Sequence, residues 1–142
     1  MNPSLILRTA TRLLTGMILV FSIYLLLRGH NAPGGGFSGA LVAGTGFALF
    51  AMAEGVMPVR RALGIDPRRI IVLGMAVSIL SGMIPAMAGQ PFLTGVWWSI
   101  SMDHDSDIMI GTPFLFDIGV FFIVLGTILT LILALEEDPE EK

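Results

Sequence analysis

Apolar residues fill four long blocks of this chain, and polar residues gather in the short gaps between them. A membrane-spanning helix needs about 20 mostly apolar residues. The blocks fit that length, running from about Ser4 to Leu27, Phe37 to Ala53, Pro67 to Ile84 and Pro113 to Leu135. Three starts carry one signal, a capping side chain followed by proline, at Asn2-Pro3, Asp66-Pro67 and Thr112-Pro113. Proline is tolerated at the first helical position because its missing N–H would be unpaired there anyway. The second block is entered differently, from Arg28-Gly29-His30-Asn31-Ala32-Pro33-Gly34-Gly35-Gly36, a stretch without helix formers, and it ends at Glu54. The pattern predicts an all-α membrane protein, a single integral membrane domain over residues 1–142. It has four transmembrane helices, a glycine-rich re-entrant or hairpin loop between the first two, and an acidic tail at 136–142.

Charge sets the expected orientation. A cytoplasmic N-terminus places Arg8, Arg12, Arg60, Arg61, Arg68, Arg69 and Lys142 inside and leaves only Arg28 outside. Short cytoplasmic flanks concentrate Lys and Arg, so both termini are expected in the cytoplasm (N-in/C-in), with Trp97 and Trp98 at the outer headgroup level. Glu136, Glu137, Asp138, Glu140 and Glu141 then form a solvated cytoplasmic tail. Arg8 and Arg12 precede an apolar run as in a signal peptide. Leu25-Leu26-Leu27 meets Arg28 with no small-residue cleavage site, however, so a retained helix is expected.

Composition agrees with a lipid environment: 54% of the 142 residues are hydrophobic and 13% charged, against about a quarter charged in soluble domains. Without cysteine there is no disulfide, thiolate metal site or thiol nucleophile. The two histidines, His30 and His104, both fall in loops, so neither a serine–histidine–acid arrangement nor an intramembrane haem or metal site can be assembled. No cofactor and no autonomous enzyme are expected. No basic patch with interleaved aromatics supports nucleic-acid binding.

Small residues recur at helical spacing. Gly36, Ala40, Gly44 and Ala48 form one stripe, with Gly35, Gly39 and Ala43 beside it, and Gly74, Ser78 and Gly82 form another. Helices in lipid associate through close approach at such residues. The stripes serve packing within the bundle or receive a helix from another protein.

Gly34-Gly35-Gly36-Phe37-Ser38-Gly39 matches G-x-G-x-x-G, but a membrane-length helix precedes it where the dinucleotide fingerprint requires a strand. Instead, Pro33 halts the first helix and the glycines leave N–H groups exposed at the positive end of the second. This is a docking or re-entrant element near an ion path, or a tight hairpin. Asp103-His104-Asp105-Ser106-Asp107 lacks the glycine and the final glutamate of a calcium loop and reads as a solvated outer loop. Asp117 stands about one and a half turns into an apolar helix, where a carboxylate costs up to about 3 kcal/mol on insertion scales. It reads as a proton or cation relay, or as a structural partner of His30 or Arg28. Glu54, at the inner end of the second helix, is an ion-handling candidate or an ordinary interfacial carboxylate.

Leu27-Arg28-Gly29-His30-Asn31-Ala32-Pro33-Gly34-Gly35-Gly36-Phe37 resembles the B-type component of the multi-subunit Na⁺/H⁺ antiporters, the Mrp or Mnh family. Gly111-Thr112-Pro113-Phe114-Leu115-Phe116-Asp117-Ile118-Gly119-Val120 is a second similar stretch, and Gln90-Pro91-Phe92-Leu93-Thr94 a third. The resemblance implies a prokaryotic cell-membrane complex exchanging Na⁺ for H⁺, with other antiporter subunits as partners, including large ones similar to the proton-pumping subunits of respiratory complex I. The ion-pathway candidates are then His30, Asn31, Asp117 and Glu54. Gly29, Pro33, Gly34, Gly35, Gly36, Phe37 and Gly39 would shape the backbone at a subunit contact. Similar subunits occur in membrane-bound hydrogenases and related ferredoxin-linked complexes, which leaves a redox complex as the alternative. An independent homo-oligomeric channel is a third reading, favoured by the small-residue stripes alone.

Overall fold

The computed structural model describes residues 4–28, 35–102 and 106–135. Its elements in chain order are α1 (Leu5–Arg28), α2 (Gly36–Glu54), α3 (Val56–Leu63), α4 (Pro67–Met87), β1 (Trp97–Met102), β2 (Ser106–Gly111) and α5 (Thr112–Leu135). Four of these helices, α1, α2, α4 and α5, are long and apolar enough to cross a membrane. The four expected spans are therefore present, each within a few residues of its predicted bounds.

Local chemistry explains the starts and stops. Ser4 caps α1, its Oγ accepting from Leu7 N–H at 3.2 Å, while Asn2-Pro3 lies outside the described residues. Asp66 caps α4 as expected, its Oδ1 accepting from Arg68 N–H at 2.9 Å. The third signal behaves differently. Thr112 Oγ1 accepts from Val96 N–H at 3.1 Å, and Thr112 N–H donates to Val96 O at 2.9 Å, so this residue anchors the preceding loop. Pro85, expected to end the third span, lies inside α4, which continues to Met87. The Pro85 ring removes the N–H that would donate to Ser81 O, while the Pro85 carbonyl accepts from both Ala88 and Gln90 at 3.0 Å.

Two elements add to the four-helix plan. Between the second and third spans lies α3, bracketed by Gly55 (φ 88°) and Gly64 (φ 68°), whose positive φ values suit glycine. It buries Val59 completely and leaves Arg60 and Arg61 exposed. Ahead of α5 the chain carries an antiparallel hairpin, β1 paired to β2 from Trp97↔Gly111 to Met102↔Ser106, while Asp103, His104 and Asp105 of the expected outer loop lie outside the described residues. Its six paired positions fall in Trp97–Met102 and Ser106–Gly111, stretches rich in apolar and β-favouring residues.

The spans stand in a row, α1 against α2, α2 against α5, and α5 against α4. The core follows that row: Ala40, Ala43 and Ala51 of α2, Ile70 of α4, and Phe121, Leu125, Leu129 and Leu133 of α5. The α5 positions recur every four residues, the spacing that keeps one helix face turned to its neighbours. Glycines set the contact distances. An added Cβ on Gly39 would stand 2.8 Å from Ser22 O of α1, and one on Gly44 would stand 2.8 Å from Ile128 of α5. Gly74 and Gly119 meet backbone to backbone between α4 and α5. Gly82 is filled by Phe92 and Leu93 of the loop after α4. Both small-residue stripes thus serve packing within the chain, and the partner-helix reading falls away at Gly36, Gly39, Gly44, Gly74 and Gly82.

Candidate functional site

Four spans bring both described ends of the chain to one end of the bundle. At that end lie Arg8 and Arg12, Glu54, all of α3, and the starting turn of α4. The opposite end holds Arg28, the start of α2, the β1–β2 hairpin and Asp117. Expected site residues therefore divide into two places. Gly36 and Glu54 are 18 residues apart on α2, or about 27 Å at 1.5 Å per residue.

Asp117 sits in the second turn of α5 and is half-buried. Its carboxylate faces the start of α2: Oδ2 lies 3.1 Å from where a Cβ on Gly35 would stand, and Oδ1 2.9 Å from one on Gly36. A Cβ on Gly36 would collide with the main-chain carbonyl of Asp117 itself, so the two helices are in backbone contact here. Gly35 has φ 118° and ψ −173°, a conformation essentially confined to glycine. Its N–H donates to Leu25 O of α1 at 3.1 Å, and its carbonyl accepts from Gly39 N–H at 2.9 Å. One residue therefore joins the end of α1 to the first turn of α2.

Lacking a side chain, Gly35 cannot cap α2. The first N–H groups of a helix have no internal partners, and its N-terminus carries partial positive charge. Asp117 brings a negative charge from a third helix to that point. The expected structural pairing with Arg28 is absent; the Arg28 guanidinium stands 5.9 Å above the Tyr24 ring instead. Among the described residues no salt bridge forms to Asp117, and the acidic residue that does pair with an arginine lies at the other end of α2.

That residue is Glu54, whose Oε1 accepts from Arg12 Nε at 3.0 Å and whose Oε2 accepts from Arg12 Nη2 at 3.1 Å. The side chain of Glu54 is 5% exposed and that of Arg12 63% exposed. The guanidinium forks over the carboxylate in the two-bond geometry favoured by arginine. It screens a nearly buried charge from lipid and ties α1 to the end of α2. The sequence contains both residues but gives no hint of their pairing, because nothing local relates positions 42 residues apart.

Further polar groups sit between helices. Thr15 and Ser22 are the buried residues of α1, Thr15 Oγ1 reaching Gly46 O at 3.4 Å and Ser22 Oγ donating to Leu19 O at 2.7 Å. Ser78 Oγ is buried against Gly119 with no hydrogen-bond partner among the described residues. A serine in a glycine-rich stripe was the available signal for it. Phe37 is exposed beside the junction and Gly39 is buried against α1. His30, Asn31, Gly29, Pro33 and Gly34 lie outside the described residues.

The model of a domain related to the MnhB subunit of Na⁺/H⁺ antiporters matches residues 6–130. Among curated proteins, the B-type component of the Na⁺/H⁺ antiporter of Bacillus subtilis is 36% identical over 134 residues, covering 94% of each chain. The protein of the same name from Alkalihalophilus pseudofirmus is 33% identical over 139 residues, covering 96% of this chain and 95% of that one. A putative antiporter subunit mnhB2 of Staphylococcus aureus is 36% identical over 130 residues, 92% of each. Among solved structures, a chain of the Mrp complex from Dietzia sp. superposes with a TM-score of 0.81 at 31% identity. That match covers 96% of this chain and 14% of the other, so the shared unit is one segment of a much longer polypeptide there.

Proposed function

Since this chain belongs to the family of domains related to the MnhB subunit of Na⁺/H⁺ antiporters, we propose that it works as a small membrane subunit of a hetero-oligomeric Na⁺/H⁺ antiporter, contributing to assembly and to the ion path. The observation carrying this reading is the agreement of sequence and fold along nearly the whole chain, with relatives that bear the antiporter name and a solved Mrp complex. Its role is transport within a complex rather than chemistry of its own. Its partners are other subunits of that assembly.

Within the reading, the Arg12–Glu54 end faces the cytoplasm, because Arg8, Arg12, Arg60, Arg61, Arg68 and Arg69 share it. The Asp117 end then faces outward. Asp117 is the relay candidate: a half-buried carboxylate at the start of α2 is proposed to hold a proton or a cation and release it to an adjacent water-filled path. His30 and Asn31 precede the same junction in sequence and are proposed to share it. Glu54, already neutralised by Arg12, supports architecture instead.

Purification of the tagged chain in mild detergent, with mass spectrometry of co-purifying subunits and metal analysis, tests the assignment. Large antiporter-like partners without redox metals are expected. Iron–sulfur or nickel centres with hydrogenase-like partners would move the chain to a redox complex, and recovery of the chain alone would end the subunit reading.

A further inference from the structure

At the Arg12–Glu54 end, α3 and the start of α4 line an open cavity of about 640 Å³ with the last turns of α5. Its polar side is lined by Arg60, Arg68, Arg69 and Asp66, and its apolar side by Ile65, Leu133 and Ala134. The volume lies within the range of about 300–1,000 Å³ typical of small-molecule sites. Asp66 is committed to capping α4 through Arg68 N–H at 2.9 Å. Among the described lining residues, the guanidinium groups of Arg68 and Arg69 stand against the single carboxylate of Asp66 and leave an excess of positive charge.

The cavity's place in the fold says what it meets. Pro67 begins a membrane span and Leu135 ends one, so the walls formed by Arg68, Arg69, Leu133 and Ala134 stand where hydrocarbon gives way to headgroups. Amphipathic α3, with Val59 buried and Arg60 and Arg61 exposed, forms the third side. A ligand suited to this site carries a phosphate beside an apolar chain. Basic pockets between membrane helices hold such groups, and each arginine near an anionic surface contributes about 1 kcal/mol.

We propose that this cavity binds the headgroup of an anionic phospholipid, with Arg68 and Arg69 pairing to its phosphate while Leu133 and Ala134 meet the first methylenes of its chains. The site anchors the α3–α4 corner at the membrane surface. The inference rests on the chain being membrane-embedded and not on the antiport reading, so lipid binding and partner composition fail independently.

The test is titration of the purified, delipidated complex with short-chain phosphatidylglycerol, phosphatidylcholine or inorganic phosphate, followed by native mass spectrometry. Phosphatidylglycerol is expected to bind in preference to phosphatidylcholine and to resist millimolar phosphate. Equal binding of both lipids would overturn the proposal, and displacement by phosphate alone would make the cavity a free-anion pocket. The R68Q/R69Q variant is expected to bind phosphatidylglycerol about thirtyfold more weakly, from about 1 kcal/mol for each arginine. R8Q/R61Q removes equal charge outside the cavity and should stay within about threefold of the parent, since neither side chain lines the pocket and charges beyond about a Debye length are screened; an equal loss in both variants would reduce the effect to diffuse surface attraction. Binding that arises only after residues 136–142 are removed would name the chain's own acidic segment as the occupant, and would overturn the lipid assignment too.

Discussion

Helix α2 meets a carboxylate at each end, and the two ends treat it differently. At the far end Glu54 is nearly buried and gripped through both oxygens by Arg12, at 3.0 and 3.1 Å. At the near end Asp117 arrives from α5 against Gly35 and Gly36, facing the positive end of a helix but no described cation. A fully formed ion pair lowers the energy of one charge state and resists change. A carboxylate opposed only by a helix N-terminus, an effect of about 0.3–1 kcal/mol at exposed sites, is held less firmly than one gripped by a guanidinium. The first arrangement fastens helices; the second is the one proposed above for ion exchange.

The largest break in this comparison should come from Gly36→Val. Its side chain cannot fit against the Asp117 carbonyl without separating α2 from α5. Overpacking of a close contact costs about 1–3 kcal/mol, and added displacement of Asp117 should lower recovery of the chain with its partner subunits at least tenfold, by about 1.4 kcal/mol or more. Quantitative mass spectrometry of the purified assembly reads this; normal recovery would mean that the backbone contact is dispensable.

Asp117→Asn keeps the shape and removes the charge. Antiport should fall at least about tenfold, corresponding to about 1.4 kcal/mol in the barrier, while subunit recovery stays near the parent's. Loss of recovery in step with activity would make Asp117 a structural cap for α2.

Arg12→Gln leaves the Glu54 carboxylate unpaired and should lower thermal stability of the assembly by about 1–3 kcal/mol, the scale of a lost charge-assisted hydrogen bond at a buried acceptor. Adding Glu54→Gln should recover part of that loss, as expected for coupled neighbours. Melting curves of both single variants and the double variant measure the coupling, and additive effects would show the fork to be idle. The smallest effect is expected from Ser78→Ala. Its buried hydroxyl has no described partner, so replacement should change the melting behaviour by less than about 0.5 kcal/mol or raise stability slightly.

Legibility in the sequence followed the range of the interactions involved. Hydrophobic blocks fixed the four spans because lipid forces each helix to satisfy its own backbone, and Asp66-Pro67 marked a start through chemistry confined to neighbouring residues. Thr112-Pro113 looked the same locally, yet Thr112 turned its hydroxyl toward Val96, sixteen positions earlier. The α3 helix lies in a stretch punctuated by Gly55, Pro58 and Gly64, though Val59 beside Arg60 and Arg61 held the amphipathic clue. Asp117 was visible as a lone carboxylate in an apolar helix. Its actual neighbour, the bare start of α2, depended on a backbone contact between spans that no periodicity encodes. The same holds for Arg12 and Glu54, each visible but not as a pair.

The central claim is that the Asp117 end of α2 works in transport while the Glu54 end holds structure. Sodium-driven pH changes in vesicles containing the purified complex test it most directly, comparing Asp117→Asn with the Arg12→Gln/Glu54→Gln double variant, each normalised to assembled complex. The expected result is activity at least about tenfold lower in the first and close to the parent in the second. Full activity in Asp117→Asn, or equal losses in both, would contradict the account.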